Sequence, residues 1–459
     1  MSRDRLDIVR DDAHAFPSAA SYAIARHGDD GDIVAVRDHQ PVRRVQFLHD
    51  VAALAARLPV HKYVLNLCTD RYRFTVGLAA ALRRQQISLL PPSDVAGVLK
   101  ALAVDYPDLY ALTDSVRSPF PSVAYPDNLN GDAGDAEMPV HPGQQPALIL
   151  FTSGSTGRPK PVPKSWGALV RSARAAGERL GAPRFRGATL IGTVPHQHSY
   201  GLESTILFGL QHGLAIDAAR PLYPADICAA IESAARPRIL VTTPVHIRTL
   251  VAESGGMPAL DLIVSATAPL PVALAAQAEA RFRAPLIEIY GCTEAGQIAT
   301  RRTVDEPQWR CLDGVALHQD EHGSWVGGPS VQGKTLLHDL IEQTGPDTFV
   351  LGGRSADMVD VAGKRTSLAY LNHHLLSIDG VRDGAFVMPD AASRRVARLM
   401  ALVVAPGMQA ETILCALRGR IDAAFLPRPL VFVDALPRNA LGKLPREALL
   451  QLADRSRCS

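Results

Sequence analysis

Apolar positions along the chain follow two periods, and the periods take turns. In "FLHDVAALAARL" (47–58) apolar residues fall at helical spacing. "KYVLNLC" (62–68) is a short continuous apolar run of the buried-strand kind, and "FTVGLAAALRR" (74–84) reads as the helix behind it. The polar stretch "DNLNGDAGDAEMPVHPGQQP" (127–146) is rich in Gly, Asp and Pro and predicts a loop or linker between lobes. "ALILF" (147–151) is the next buried strand. "SWGALVRSARAAGERLG" (165–181) then predicts a helix with Ser165 as N-cap and Gly181 at its end. Strands follow at "RILVTT" (238–243), "LDLIVSA" (260–266) and "PLIEIYG" (285–291), separated by helical patterns such as "PVALAAQAEARF" (271–282).

This alternation predicts layered α/β structure with largely parallel sheets. From about 300 to 353 the pattern shifts to short strands and Gly turns ("DGVALHQDEHGSWVGG", "DTFVLGG"), a small β-rich subdomain. From 354 onward, mixed segments predict a small α+β unit. The expected division is therefore a large N-terminal domain, 1–353, and a C-terminal domain, 354–459.

Composition narrows the function. With 459 residues and 47% hydrophobic content, the chain can bury a large core. A net charge of +2 provides no field for nucleic acid. No apolar run approaches the roughly 18 residues of a membrane helix, and "MSRDRLDIVRDD" lacks the apolar centre of a signal peptide. Six scattered cysteines without metal-ligand spacing fit a reduced, cytoplasmic protein. Only seven of the 48 basic residues are lysine: Lys62, Lys100, Lys160, Lys164, Lys334, Lys364 and Lys443. In a chain this biased to arginine, the lysines that remain are candidates for chemistry, because a compact ammonium and a planar guanidinium are not equivalent beside phosphate.

"FTSGSTGRPKP" (151–161) is the first candidate site. Gly154 and Gly157 let the backbone approach a ligand closely. Thr152, Ser153, Ser155 and Thr156 supply hydroxyls, successive N–H groups can form an anion nest, and Lys160 adds a mobile charge. The competing reading is a plain Ser/Gly-rich surface turn. The position after a buried strand and before a helix favours function. A second segment, "GPSVQGKT" (328–335), satisfies the P-loop pattern in full. It lacks a firm strand upstream, so a nucleoside triphosphatase built on Lys334 is the rival reading. "YGCTEAG" (290–296) follows a strand and sets Thr293 and Glu294 at its end, where Glu294 can hold Mg²⁺ on a nucleotide phosphate. Asp339 precedes Arg354 by 15 positions, and an aspartate suits a ribose diol. "PRNALGKLPR" (437–446) places Lys443 in a Gly-containing loop.

These segments, in this order, resemble the adenylate-forming superfamily: acyl- and aryl-CoA synthetases, adenylation domains of nonribosomal peptide synthetases, and luciferases. The resemblance runs from about residue 45 to 450. "FTSGSTGRPK" is similar to the family's phosphate loop. "PHQHSYGL" (195–202) is similar to its acid-pocket motif, with His198 at the position of a gating histidine and Tyr200 beside it. "SATAPLP" (265–271) resembles the segment lining the acyl and adenine pockets, which implies Ala266, Thr267 and Ala268 as lining residues. "YGCTE" resembles the adenylate motif, which implies roles for Tyr290, Gly291, Thr293 and Glu294. Asp339 and Arg354 match the ribose-binding aspartate and the arginine before the hinge, and Lys443 matches the catalytic lysine.

Three departures stand out. Pro161 replaces a common glycine, Ala356 stands at the hinge position, and Ala266-Thr267-Ala268 replaces Gly-Gly-Ala. The resemblance implies ATP and Mg²⁺ as co-substrates, a small carboxylic acid, and an acceptor thiol from coenzyme A or the phosphopantetheine of an acyl carrier protein. It also implies a C-terminal domain that rotates between adenylation and thioester formation. "NLCTDRYRFTVGLAAALRRQQISLLPPS" is faintly similar to small bacterial ligases of aryl-polyene and pigment pathways, which points to an aryl or related acid. A catalytically silent nucleotide-binding regulator of the same fold is the second alternative. His196 stands open between pocket residue and structural loop histidine. His373 and His374 read as helix surface, and Cys292 as a packing residue.

Overall fold

The computed structural model describes residues 20–91, 96–114, 120–129, 137–152, 160–321, 323–354, 358–361, 364–388, 399–439 and 443–455. Helices form where the apolar spacing placed them: Arg44–Arg57, Arg71–Arg83, Trp166–Arg179 and Val272–Phe282. Ser165 caps the third by accepting from the Ala168 N–H, and Gly181 follows that helix at φ 76°, a left-handed conformation that suits glycine.

Two sheets carry the larger N-terminal part. Among the described residues the first has six strands, in the order Lys160–Ser165, Pro146–Thr152, Ile87–Leu90, Tyr63–Asn66, Leu109–Thr113 and Ser122–Ala124. All its pairings are parallel except that of Lys160–Ser165 with Pro146–Thr152. The second sheet is longer. Its centre is a parallel run of Leu286–Cys292, Leu262–Ser265, Arg238–Thr242, Thr189–Gly192 and Ala215–Asp217. Beyond Leu286–Cys292 the pairing turns antiparallel through Gly296–Arg301, Trp309–Cys311, Thr348–Arg354 and Asp339–Gln343. Strands buried on both faces read as unbroken apolar runs. That is why "ALILF" and "LDLIVSA" were legible in the sequence.

The smaller C-terminal part is mixed α and β. A hairpin, Met358–Val361 and Lys364–Ser367, leads to helix Leu368–Leu376. A sheet of Asp383–Val387, Met400–Val404 and Leu430–Phe432 packs with helices Ala410–Arg418 and Arg446–Arg455.

Two expectations are corrected, and a rival reading loses its support. A strand, Lys160–Ser165, lies between the glycine-rich segment and the helix, which begins at Trp166 as the Ser165 N-cap predicts. Thr152 and Lys160 are register partners in that hairpin, so the chain leaves and returns at one place. Second, the polar stretch 127–146 contains a short strand, Val140–Pro142, paired with Ser21–Ala23. The rival is the P-loop pattern 328–335, which joins strands Gly323–Gly327 and Thr335–Leu337, with no helix after it. Lys334 pairs with Asp320 at 3.5 Å and lies over the Trp325 ring. The segment instead braces helix Trp166–Arg179: Gln332 Oε1 accepts from the Ser165 N–H, and the Pro329 carbonyl accepts from Arg171 Nε. A P-loop needs a helix N-terminus at the phosphates, and this turn lacks one.

Candidate active site

Parallel neighbours point the same way, so their carboxyl ends share one edge of the sheet. That edge of the second sheet gathers the acid-pocket candidates. Thr193 to His198 follow Thr189–Gly192, Thr243 and His246 follow Arg238–Thr242, and Ala266 to Ala268 follow Leu262–Ser265. Tyr200 spans the row, with its hydroxyl 3.0 Å from the Thr242 carbonyl and 3.1 Å from that of Val264. Gly201 has a steric reason to be glycine, because a Cβ there would lie 2.0 Å from the Pro195 carbonyl oxygen. Ala266 is buried, and Thr267 and Ala268 are half-buried. Thr267 holds φ 83° where the family has glycine, an unfavourable conformation for a β-branched residue.

On the other side of Leu286–Cys292 lies the nucleotide candidate. The spacing of 15 between Asp339 and Arg354 is a hairpin register: the two are directly opposite in adjacent strands. The Tyr290 hydroxyl donates to Asp339 Oδ2 at 2.6 Å, joining two motifs distant in sequence. Aromatic neighbours Trp309 and Phe349 hold the Tyr290 ring. Replacing Asp339 by Ala is expected to weaken ATP by about 1–3 kcal/mol, the value of a hydrogen bond to a charged group. Calorimetric titration of the folded variant checks it, and unchanged affinity would remove the ribose assignment.

Thr293 and Glu294 form the turn between Leu286–Cys292 and Gly296–Arg301, and both are half-buried. What holds this turn was not foreseen. Lys164, 5% exposed, donates from Nζ to the Glu294 carbonyl at 2.7 Å. Burial lowers the Lys164 pKa, and the nearby charges of Glu203, Cys292 and Glu294 oppose that shift. Glu203 is itself buried and accepts from Ser172 Oγ, Ser199 Oγ and the Gln297 N–H. It sits in a π-helical stretch, Leu202–Leu207, directly after the short helix Ser199–Gly201. The available signal was the lysine scarcity, which counted Lys164 among seven candidates without distinguishing it.

His196 proves to be a structural histidine. It is buried, its Nε2 is 3.0 Å from the Cys68 carbonyl, and its ring lies 4.5 Å from that of Phe74. Burial and then the Arg71 charge lower its pKa to about 3. His198 precedes the short helix Ser199–Gly201. Burial, then the charges of Lys443 and Arg220, lower its pKa to about 4. The Lys443 ammonium is therefore near enough to bear on His198, although the two residues come from opposite parts of the chain. Lys443 is exposed.

Both histidines are neutral in the folded chain near neutral pH, whereas unfolded histidine protonates near 6.5. Below that pH the unfolded state binds more protons, so stability falls as pH falls, until the folded pKa values near 4 and 3 are passed. Each histidine contributes up to about 1.4 kcal/mol per pH unit in that window. Urea unfolding across the window should show this loss, with a shallower slope in His196→Gln. Equal slopes would remove His196 from the account.

Ser153, Gly154, Ser155, Thr156 and Gly157 lie outside the described residues, as does Ala356. Gly291 is exposed at the end of its strand. Burial pushes the Cys292 thiol up to about 11, which suits packing and not nucleophilic attack. His373 is exposed on its helix and His374 half-buried. Among the described residues no group of three or more His, Cys, Asp or Glu could hold a metal. Mg²⁺ arriving on ATP needs fewer protein ligands, and Glu294 could supply one carboxylate.

Through Lys164, the strand that follows the glycine-rich segment meets the turn of Thr293 and Glu294 beside the row of strand ends. The chain matches the model of the AMP-binding enzyme family over residues 59–321 and belongs to that family, within the adenylate-forming superfamily. It is 31% identical over 301 residues to a 4-coumarate–CoA ligase of Rhodobacter capsulatus, covering 64% of this chain and 74% of that protein. It is 27% identical over 377 residues to an indoleacetate–CoA ligase of Aromatoleum aromaticum, covering 71% of each. The fold is shared with ATP-bound MatB from Rhodopseudomonas palustris at TM-score 0.77 and 18% identity, covering 93% of this chain and 97% of that one. No described helix is long and apolar enough to cross a membrane.

Proposed function

We propose that this chain activates an aryl or related carboxylic acid with ATP and passes it to a thiol, either coenzyme A or the phosphopantetheine of a carrier protein. The observation that carries this reading is the Lys164 bond to the Glu294 carbonyl. It joins the strand leaving the glycine-rich segment to the turn of the adenylate motif, as adenylate formation requires. The aromatic acids named for the two relatives support an aryl substrate.

In the first step a carboxylate oxygen of the acid attacks the α-phosphorus. The bond to the pyrophosphate oxygen breaks, and pyrophosphate leaves. Charge shifts onto the phosphate oxygens, so a fixed positive environment lowers the barrier. Lys443 supplies an ammonium between phosphate and acid, Glu294 would hold Mg²⁺ arriving with ATP, which would neutralise phosphate charge, and residues 152–160 hold the phosphates. Tyr290 and Asp339 orient the nucleoside. His198, Tyr200 and Ala266 to Ala268 shape the acid pocket, and neutral His198 adds no charge there. In the second step the thiol sulfur attacks the acyl carbon, AMP leaves, and the thiol proton passes to solvent. The C-terminal part, from about residue 354, rotates between the steps.

ATP–pyrophosphate exchange across a panel of aryl and alkyl acids tests this. Acid-dependent exchange is the expected result. A nucleotide-binding regulator would show none with any acid, and exchange lost in Lys334→Ala would revive the P-loop reading.

A further inference from the structure

The loop that carries Lys443 is tied to the larger part of the chain by three charged side chains. Arg438 donates to the Asp383 carboxylate from Nε at 2.8 Å and from Nη2 at 2.7 Å. Asp383 opens the strand Asp383–Val387 and also accepts from the Gly384 N–H. Arg248 approaches the same carboxylate at 3.8 Å from helix Pro244–Ala252 in the larger part. The three side chains are only 27%, 18% and 19% exposed for Arg248, Asp383 and Arg438, so solvent screens them less than surface ions.

The connection continues to the lysine. Asn439 follows Arg438, and its side-chain oxygen accepts from the Lys443 N–H at 2.9 Å. Its own N–H donates to the Lys443 carbonyl at 2.9 Å. One line of contacts therefore runs from Arg248 through Asp383, Arg438 and Asn439 to Lys443. At its far end, helix Pro244–Ala252 also carries His246, whose Nδ1 is 3.0 Å from Thr193 Oγ1 at the acid-pocket edge.

We propose that Arg248, Asp383 and Arg438 form a docking clasp that positions Lys443 for acid activation. All three are positioning residues, and the proposal rests on the assignment of Lys443 to that step. Lys443 is exposed on a long stem, so its time over the site depends on where its loop is held. The bidentate contact of Arg438 fixes the angle of the loop to the C-terminal sheet. Arg248 fixes that sheet to the larger part. If the C-terminal part rotates, the Arg438–Asp383 pair travels with it, and the Arg248–Asp383 contact breaks. Arg248 therefore acts in one orientation only.

The test compares half-reactions. Arg248→Ala should lower acid-dependent pyrophosphate exchange about five- to thirtyfold, the range of a modest coupling between parts. The loss should fall on kcat, with the KM for ATP little changed. Thioester formation from pre-made acyl-adenylate should keep its rate. Arg248→Lys should retain part of the exchange, since a point charge still attracts the carboxylate. Asp383→Asn should follow Arg248→Ala. Equal loss in both half-reactions, or undiminished exchange, overturns the clasp.

Amide hydrogen exchange of residues 437–446 gives a readout that needs no substrate. It should quicken in Arg248→Ala, and unchanged protection also overturns the clasp. Wild-type protein inactive with every acid, yet with quickened exchange in this segment of the variant, would mean that the proposed reaction fails and the clasp stands.

Discussion

Lys443→Ala is expected to lower acid-dependent pyrophosphate exchange by about two to three orders of magnitude, the loss typical of removing a preorganised charge from a developing anion. Given pre-made acyl-adenylate, the same variant should form thioester at a near-normal rate. The reason is positional. The charge of Lys443 bears on His198, and on the proposed reading its loop belongs to the part that rotates between the steps. Lys443→Arg should not rescue exchange, because the wider guanidinium cannot occupy the same point. Equal failure in both half-reactions, with the fold intact, would rule out an alternation of domains. Survival of both would make Lys443 an ordinary surface lysine.

The second large effect is expected at Lys164. In Lys164→Met the Glu294 carbonyl loses its donor and Glu203 loses a nearby counter-charge. Stability should fall by about 1–3 kcal/mol, the cost of leaving a buried polar group uncompensated. The Mg²⁺ concentration for half-maximal exchange should rise about 10- to 100-fold, as when support behind a metal ligand is removed. The double variant Lys164→Met/Glu203→Gln separates the two effects. Removing both charges should recover most of the stability while the Mg²⁺ dependence stays impaired, since the turn is still unanchored. Recovery of both together would make Lys164 a folding residue with no hold on the site.

Much of the architecture was legible because it is local. Ser165 caps its helix with a bond to a residue three positions on, and Gly181 ends it, so the signals lie within a few residues of what they control. The Asp339–Arg354 spacing was legible as a number and is explained by a hairpin register. The P-loop pattern at 328–335 shows the limit of such reading. The residues are all present, but their meaning depends on whether a helix or a strand follows.

Sequence alone therefore determined the parallel α/β layering, the order of the motifs and the family to which they belong. Each of these rests on periodicity or on residues close together in the chain. Tertiary structure decided which charges act. A lysine three residues after the glycine-rich segment looks solvent-facing in any local reading, and it became a buried anchor because two sheets meet at Glu294. Arg248 and Asp383 lie in no motif, Arg438 lies beside the Lys443 motif without a role read from it, and the contact of Arg248 with Asp383 appears only in the folded chain. Ion pairs and buried donors depend on distance in space and on exclusion of water, and neither is written in local spacing.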